Sequence, residues 1–431
     1  MLSFEELKGL VERRDIDTVI VAFTDMQGRL MGKRLHSQFF VEEVDAGHEV
    51  EGCNYLLALD MEMDPIPGYE IASWEQGYGD FALRPDLDTL RRIPWLEGTA
   101  LVLADVEWHD GSPVQPSPRQ VLKAQIERAA ALGYVPMAGS ELEFYLLRET
   151  YQEAWAQRYE DLTPSVPYIL DYHILAATYD EDLIRQIRNG MQGAGIRVES
   201  SKGEAWPGQH EVNFRFADAL TMADNHVVYK NGAKEIAHAN GCSITFMPKP
   251  FESWIGNSCH IHASLFRDGE PAFRDDEMLF ERFLAGQIAC FEELAVFLAP
   301  TINSYKRYAA GTWARRRSLG GTTTARAASG SSVTVHRSGS RPGSRAETST
   351  PTSRSRRSSR QASTGSRTSW SYRLRSRATP TSRMPSASPR RCGRRSWRSS
   401  WGRWHGPPSA TRSSTTTSTT PTRSRRSSTR P

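Results

Sequence analysis

Two glutamates stand two residues apart in segment 139–146, which reads Gly-Ser-Glu-Leu-Glu-Phe-Tyr-Leu. Because alternate side chains of a strand leave on opposite faces, Glu141 and Glu143 share one face about 7 Å apart, and the apolar side chains share the other. Two carboxylates so placed repel each other unless a cation lies between them, and hard divalent ions such as Mg²⁺ prefer carboxylate oxygens. A half-exposed strand with a polar outer face is the simpler alternative for this segment alone.

Two later segments add side chains of related chemistry. A Pro-Gly turn lies between Glu204 and Glu211, so the chain can fold back and bring the two carboxylates together across a hairpin. Further on, His260, His262 and Ser264 alternate with Cys, Ile, Ala and Leu and therefore share one strand face. Imidazole is a common metal ligand and also forms hydrogen bonds with phosphate oxygens. A polar loop and structural histidines are the alternatives for these segments taken singly.

A basic group follows in the segment Asn-Ser-Tyr-Lys-Arg, which ends at Arg307. A guanidinium there can bind a substrate carboxylate through two parallel hydrogen bonds. A solvated basic turn is the alternative. Together these segments favour a common site, which none of them establishes alone.

Two regions position these residues. Residues 1–110 predict a small α+β domain with a hairpin at 19–23 and 30–35 and strands near 55–59 and 100–106. Residues 111–314 alternate strands and helices loosely, which favours a mixed α/β catalytic domain. Its predicted helices lie near 180–193, 223–240 and 277–298, and a further strand near 196–200.

A helix opens the second region. Ser117 is predicted as its N-cap and Pro118 as its first residue, and Gly133 ends it. Its buried stripe is expected to consist of Val121, Leu122, Ile126 and Ala129.

The charge balance divides the chain after Ala314. Of the 54 basic and 50 acidic residues, 27 arginines and only Glu347 fall in residues 315–431, which contain no Lys, Asp, Asn, Ile or Phe. The first 314 residues therefore carry a net charge of −22 and the remainder +26. The first part is an acidic globular protein, so any nucleic-acid binding would belong to the basic tail alone.

The five scattered cysteines have no metal or redox spacing, which favours a reducing compartment. The first residues do not resemble a secretory leader, and no apolar run approaches the ~18 residues that cross a bilayer. The sequence thus predicts a soluble cytoplasmic protein without a membrane partner.

Taken in order, the motifs resemble one family, the class I glutamine synthetase superfamily, over residues 15–314. The resemblance is carried by Gly-x-Glu-x-Glu-Phe, Glu-x-x-Pro-Gly-Gln-x-Glu, Phe-Met-Pro-Lys-Pro, Gly-x-x-x-His-x-His-x-Ser and Asn-Ser-Tyr-Lys-Arg. It implies an N-terminal β-grasp domain, a catalytic domain with a curved antiparallel sheet, and a ring-shaped homo-oligomer that is a dodecamer in intact members.

The same resemblance implies roles for individual residues. One divalent metal, Mg²⁺ or Mn²⁺, would be held by Glu143, Glu204 and Glu211, and a second by Glu141 and His260. His262, Ser264 and Phe216 would contact ATP. Gly256 and Arg307 would bind glutamate, with Arg307 at the catalytic centre. ATP would phosphorylate the γ-carboxyl of glutamate, and an amine would then displace phosphate.

Trp313 departs from the ammonia-using members of the family. Those members carry a Glu at this position, where it helps to bind and deprotonate ammonium. An indole cannot accept a proton, although it can line a pocket or stack on a cation. The change resembles the branch that joins glutamate to organic amines such as polyamines, so an organic amine is favoured over ammonia as the acceptor.

The resemblance stops at Ala314, where the Arg/Ser/Thr-rich segment 315–431 begins. Genuine basic tails usually keep some Lys, and four tryptophans are unusual in a solvated one. In an overlapping reading frame, the start of the tail is compatible with Pro-Thr-Leu-Ala-Trp-Gly, and later parts with further family segments. We interpret the tail as the product of a frameshift, disordered and lacking the family's final metal ligand and arginines.

The sequence therefore predicts an ATP-dependent glutamate–amine ligase whose catalytic domain is C-terminally incomplete and whose activity is impaired. A non-catalytic relic of the same fold is one alternative. Nucleic-acid binding through the basic tail is the other.

Overall fold

A computed structural model describes residues 1–72 and 77–308, together with the backbone of 331–335. The described elements belong to one compact unit. They form two sheets, one of six strands and one of eight. The α+β fold class predicted from the sequence is confirmed. The boundary predicted between residues 110 and 111 stays a prediction.

The first sheet is built from the N-terminal part of the chain. The helices and strands of this part are α1 (Phe4–Glu12), β1 (Thr18–Thr24), β2 (Leu30–His36), α2 (Ser37–Ala46), β3 (Val50–Cys53), β4 (Asp80–Pro85), β5 (Arg91–Arg92) and β6 (Thr99–Glu107). The strand order of the sheet is β2-β1-β6-β4-β3, with β5 beside β6. Strands β1 and β6 run parallel, and the other neighbours are antiparallel.

The predicted hairpin and the strand near 100–106 are confirmed as β1, β2 and β6. The strand predicted near 55–59 is wrong, because Asn54–Leu57 forms a 3-10 turn. Leu57, Ala58 and Leu59 are buried in succession, whereas a strand with one face in solvent would bury alternate residues. A compact turn buries this apolar run better than a half-exposed strand would.

The second sheet and its helices are built from the rest of the described chain. The elements are α3 (Pro118–Ala131), β7 (Val135–Leu147), α4 (Tyr151–Ala156), α5 (Ile174–Thr178), α6 (Glu181–Gly193), β8 (Val198–Gly203), β9 (Gln209–Phe214), β10 (Ala217–Asp218), α7 (Ala219–Ala239), β11 (Ser243–Thr245), β12 (Cys259–Arg267), β13 (Glu270–Pro271), α8 (Ala272–Asp275), α9 (Glu277–Leu298), α10 (Ile302–Tyr305) and β14 (Ser331–Val335). The strand order is β13-β12-β7-β9-β8, and β10 and β11 also pair with β7. Neighbouring strands are antiparallel except for β14, whose backbone runs parallel to β12.

The predicted helices near 180–193, 223–240 and 277–298 correspond to α6, α7 and α9. The strand predicted near 196–200 begins two residues later, as β8. Within the tail, the backbone of residues 331–335 forms strand β14 beside β12, so this stretch is not the disordered chain that was predicted. The other tail residues and the frameshift lie outside what the structure describes.

The buried stripe predicted for α3 is confirmed only in part. Leu122, Ile126 and Ala129 are half-buried and Val121 is 50% exposed, whereas the buried residue of this helix is Arg119. The Arg119 guanidinium lies between acidic groups, with Nη1 2.5 Å from Asp105 Oδ1 and Nη2 3.0 Å from Asp224 Oδ2. Its charge is buried because it is paired on several sides, and apolar periodicity does not reveal such an ionic contact. Ser117 is the N-cap as predicted, although its side chain makes no capping bond.

The apolar face of β7 fixes the orientation of the strand that carries the two glutamates. Leu142, Phe144 and Leu146 are buried in a core shared with α6 and α7. The Phe144 ring lies 5.6 Å from that of Phe246. Each large apolar side chain buried here stabilises the fold by about 1.5–3 kcal/mol. A one-residue slip of β7 would expose all three, so the packing places the intervening glutamates on the opposite face.

Among the described residues, no helix combines the length and the hydropathy that a membrane crossing requires.

Candidate active site

The candidate residues meet on the polar face of the second sheet because three adjacent strands carry them in matching register. On one side of β7, His260 of β12 lies opposite Glu141. On the other side, Glu211 of β9 lies opposite Glu143. All four side chains therefore project from the same face of a continuous sheet, as the two-residue period of each segment predicts.

A first carboxylate group consists of Glu143, Glu204 and Glu211. One oxygen of each lies within 4.8 Å of the others. Glu204 follows the end of β8, and its backbone nitrogen donates to Gln209 O at 2.8 Å, which closes the turn between β8 and β9. The predicted approach of Glu204 and Glu211 across this hairpin is thus present in the structure.

Burial makes the first group electrostatically unfavourable on its own. Glu143 is 7% exposed and Glu211 3% exposed. Burial, followed by the nearby Glu204 carboxylate, raises the pKa of Glu143 to about 7. The same two causes raise the pKa of Glu211. A divalent cation would offset both effects, since it supplies positive charge at short distance and prefers oxygen ligands.

A second group is formed by Glu141, Glu211 and His260, again with ligand atoms within 4.8 Å of one another. From the sequence, Glu211 is expected only in the first group, but the structure brings it to both. Glu141 lies between two imidazoles, 3.2 Å from His260 Nδ1 and 2.9 Å from His262 Nε2. These contacts hold the pKa of Glu141 well below its usual range, and the Glu141 carboxylate raises the pKa of His260.

The donor set fits hard divalent cations. Each group offers only carboxylate oxygens or one imidazole nitrogen, and the groups share the Glu211 carboxylate. Mg²⁺ and Mn²⁺ accept such ligands, and Glu211 would be available to hold either ion. The residues present therefore fit the two metal ions that the sequence resemblance implies.

Arg307 and Gly256 form a second part of the site, next to the first carboxylate group. The Arg307 side chain is 4% exposed, and its Nη2 donates to Ser258 Oγ at 2.9 Å. A Cβ at position 256 would lie 2.5 Å from Arg307 Nε and 2.6 Å from Pro248 O. Only glycine fits such an approach, so the backbone at Gly256 fixes the position of the guanidinium.

Two sequence motifs that are far apart in the chain are joined here. The backbone nitrogen of Lys249 donates to Asn303 Oδ1 at 2.7 Å, and Asn303 Nδ2 donates to Lys249 O at 2.9 Å. This pair of bonds ties the Phe-Met-Pro-Lys-Pro segment to the segment that ends at Arg307.

The residues expected near a nucleotide lie along β12 and just after β9. His262 contacts Glu141 as described, and Ser264 lies two residues further along the same face, opposite Met137. Phe216 is half-exposed, and its ring centroid is 6.1 Å from that of Phe266. An exposed aromatic ring beside this strand is available for stacking. Trp313 lies outside the described residues.

The side chains that hold Glu143 in place were not predicted from the sequence. Gln209 Nε2 donates to Glu143 Oε2 at 3.1 Å and lies 3.0 Å from Asn257 Oδ1. The backbone nitrogen of Ser258 donates to the same Glu143 oxygen at 2.8 Å. Gln209 and Asn257 stand inside two of the quoted motifs, and this was the one signal that could have identified them.

The raised pKa of Glu143 predicts a pH-dependent stability. Its stabilising contribution in metal-free protein is fully present below the unfolded value of 4.5 and is lost as the pH rises through about 7. The raised pKa of His260 acts in the same direction, so the wild type alone does not isolate Glu143. We expect Glu143→Gln to remove on the order of 2–3 kcal/mol of the fall in unfolding free energy between pH 5 and pH 8.

Urea denaturation in EDTA at the two pH values measures this difference. An equal fall in the wild type and in the Glu143→Gln variant would contradict the assignment to Glu143.

The known proteins that this chain resembles belong to the family that the motifs indicated. Residues 115–326 match the family model described as glutamine synthetase, catalytic domain. The chain is 52% identical over 317 residues to a gamma-glutamylethanolamide synthetase of Streptomyces coelicolor, with 73% of this chain and 68% of the relative covered. It is 37% identical over 316 residues to a glutamate–isopropylamine ligase of a Pseudomonas species, with 72% and 69% covered.

Among solved structures, a GmaS–ADP complex superposes with a TM-score of 0.60 at 28% identity. The superposition covers 71% of this chain and 67% of the GmaS chain. A glutamine synthetase of Thermotoga maritima, by comparison, is 33% identical over 323 residues.

Proposed function

Because this chain belongs to the glutamine synthetase family, we propose that its site serves an ATP-dependent ligase that joins the γ-carboxyl of glutamate to an organic amine. The observation that carries the proposal is the convergence of four glutamates and two histidines on one sheet face, beside a buried arginine. Such a site suits a reaction in which phosphoryl transfer to a carboxylate must be assisted by cations and by a guanidinium.

The carboxylates are assigned to metal binding. Glu143, Glu204 and Glu211 would hold one ion, and Glu141 and His260, with Glu211 shared, a second. When bound, these ions polarise phosphate oxygens and offset the negative charge that develops during transfer. Gln209 and the backbone of Ser258 keep the Glu143 carboxylate in a single orientation, which leaves its remaining lone pairs for the cation.

Arg307 is assigned to substrate. Its guanidinium is held by burial and by Ser258, so it loses little conformational freedom when it binds a carboxylate of glutamate or the transferred phosphoryl group. Gly256 would let the substrate approach the backbone closely. His262, Ser264 and Phe216 would contact ATP, with the aromatic ring of Phe216 near the adenine.

The acceptor is proposed to be a small primary amine. The two relatives reported above are named for ethanolamide and isopropylamine chemistry, and both exceed the identity to the Thermotoga maritima glutamine synthetase. Trp313, which replaces the acidic residue of ammonia-using members, points the same way because an indole does not accept a proton from ammonium.

We also propose that residues after Ala314 result from a shifted reading frame. The tail composition supports this, as does the compatibility of its overlapping frame with the family's next segments. Since the family's last metal ligand would be lost, the 431-residue chain is expected to be a poor catalyst although it keeps the site described here.

The experiment compares the 431-residue chain with a chain whose codons after Ala314 are read in the overlapping frame. With ATP, glutamate, Mn²⁺ and ethanolamine, isopropylamine, putrescine or ammonium, we expect the frame-restored chain to form γ-glutamylamides at least about 100-fold faster than the 431-residue chain. An organic amine should exceed ammonium in kcat/KM. Mass spectrometry of the amides gives the readout.

Equal rates from the two chains would contradict the frameshift proposal. A clear preference for ammonium would contradict the proposed acceptor class, and the ligase assignment would still stand. The Glu211→Gln variant of the frame-restored chain provides the background rate.

We further propose a homo-oligomeric ring for the frame-restored chain, on the basis of family membership. Multi-angle light scattering would report a dodecamer or a smaller ring. A cytoplasmic location is supported by the four described cysteines, which are free thiols.

A further inference from the structure

Lys202 lies at the edge of the first carboxylate group and plays no part in the roles assigned above. It stands on β8 directly opposite Glu211 of β9. Its Nζ forms a close ion pair with Glu204 Oε1. The same nitrogen lies 4.4 Å from the centroid of the Tyr172 ring, on which it makes a cation–π contact.

This arrangement is more constrained than an ordinary surface ion pair. The Lys202 and Glu204 side chains are 22% and 14% exposed. Tyr172 has a φ of 62°, which non-glycine residues rarely adopt, and its backbone nitrogen lies 3.4 Å from Gly203 O, next to Lys202 in the chain. The backbone at Tyr172 thus lies beside the end of β8, and the Tyr172 ring contacts the lysine ammonium from there.

The ammonium and a divalent cation need the same carboxylate. A lysine ammonium bound to Glu204 neutralises part of the charge of the first carboxylate group and occupies one of the two oxygens of that carboxylate. We propose that Lys202 is a positioning residue that competes with a divalent cation for Glu204 and so weakens and tunes metal affinity at this group. The inference rests on the metal role proposed for Glu204.

When Glu204 binds the cation, the Lys202 ammonium can keep its cation–π contact with the Tyr172 ring. The face of this ring attracts a cation whether or not the carboxylate is engaged. Displacement of Lys202 from Glu204 therefore does not leave a partly buried ammonium without a favourable contact. Lys202, Glu204 and Tyr172 together allow a divalent cation to replace the lysine ammonium at Glu204.

The test is Mn²⁺ binding to the full 431-residue chain, measured by isothermal titration calorimetry. Lys202→Met removes the competing charge and keeps an unbranched apolar side chain, and we expect it to lower the Kd of Mn²⁺ about three- to tenfold. Lys202→Arg keeps the charge and should stay within about twofold of the wild type.

Lys8→Met is a matched control far from the carboxylates in sequence. Lys8 pairs with Asp45 at 2.7 Å and lies 4.6 Å from the Phe4 ring, an arrangement of the same kind. Its replacement should leave the Kd unchanged. In a Glu204→Gln background, Lys202→Met should also have no effect, because the shared carboxylate is gone.

The outcomes separate this inference from the function it rests on. If the wild type binds no Mn²⁺, the proposed metal role and this inference both fail. If the wild type binds and Lys202→Met leaves the Kd unchanged or raises it, the inference alone is overturned. If Lys202→Met unfolds, a Kd for Lys202→Arg more than about threefold from the wild type would equally overturn it.

Discussion

Replacing Glu211 with glutamine is expected to weaken Mn²⁺ binding by about 100-fold or more. Glu211 is the carboxylate that belongs to both candidate metal groups, so its loss removes a charged ligand from each. Glutamine keeps the volume and one oxygen of the side chain but not its negative charge. No other single substitution in the site should have so large an effect on metal affinity.

The same variant should be more stable than the wild type when metal is absent. Glu211 is 3% exposed, and burial together with the Glu204 carboxylate raises its pKa. A neutral amide avoids both penalties. Loss of metal binding with unchanged or increased unfolding free energy would therefore exclude simple misfolding as the cause.

Glu199→Gln is the matched control for this prediction. Glu199 lies on the adjacent strand β8 but is exposed to solvent and belongs to neither group. Its replacement should not change Mn²⁺ affinity by more than about twofold. Calorimetric titration gives the Kd of Mn²⁺ for both variants. A Glu211→Gln variant that binds Mn²⁺ as tightly as the wild type would refute the role of Glu211 as a ligand shared by the two groups.

Replacing Gly256 with alanine should be the second large effect. The added methyl would lie 2.6 Å from the Pro248 carbonyl oxygen and 2.5 Å from Arg307 Nε, and the carbonyl belongs to backbone that cannot turn aside. We expect a loss of about 1–3 kcal/mol of stability and a displaced Arg307. In the frame-restored chain, KM for glutamate should rise, because the guanidinium no longer occupies its buried position.

Gly286→Ala provides a control that should change the free energy of unfolding in the opposite direction. Gly286 lies within α9, and a Cβ there would meet no atom within 4 Å. Alanine at this helix position should stabilise the protein by about 0.5–1 kcal/mol. Urea denaturation of both variants gives the comparison. A neutral or stabilising Gly256→Ala would contradict the close approach between Gly256 and Arg307.

The alternation of side chains could be predicted from the sequence because strand geometry enforces it. Glu141 and Glu143 project from one face, and Leu142 and Phe144 pack on the other, as a period of two requires. The pairing of three strands that brings His260 and Glu211 to either side of β7 is not contained in any one segment. Only the family resemblance implied that His260 and Glu211 lie in one site with the two glutamates of β7.

Side chains whose role depends on a single ionic or hydrogen-bonded contact were harder to predict. Arg119 occupies the buried face of α3 because Asp105 and Asp224, which are distant in sequence, neutralise it. Gln209 owes its role to Glu143 on the neighbouring strand, and Lys202 owes its role to Glu204, two residues further along the chain. Such contacts depend on the folded chain and leave no periodic pattern.

The most direct test of the ligase assignment is to follow oxygen from glutamate to phosphate. Glutamate labelled with ¹⁸O in its γ-carboxyl is incubated with ATP, Mn²⁺, ethanolamine and the frame-restored chain, and the released phosphate is analysed by mass spectrometry. Activation of the γ-carboxyl by phosphoryl transfer predicts one ¹⁸O in the phosphate for each amide formed. Unlabelled phosphate accompanying the amide, or ATP hydrolysis without any amide, would contradict it.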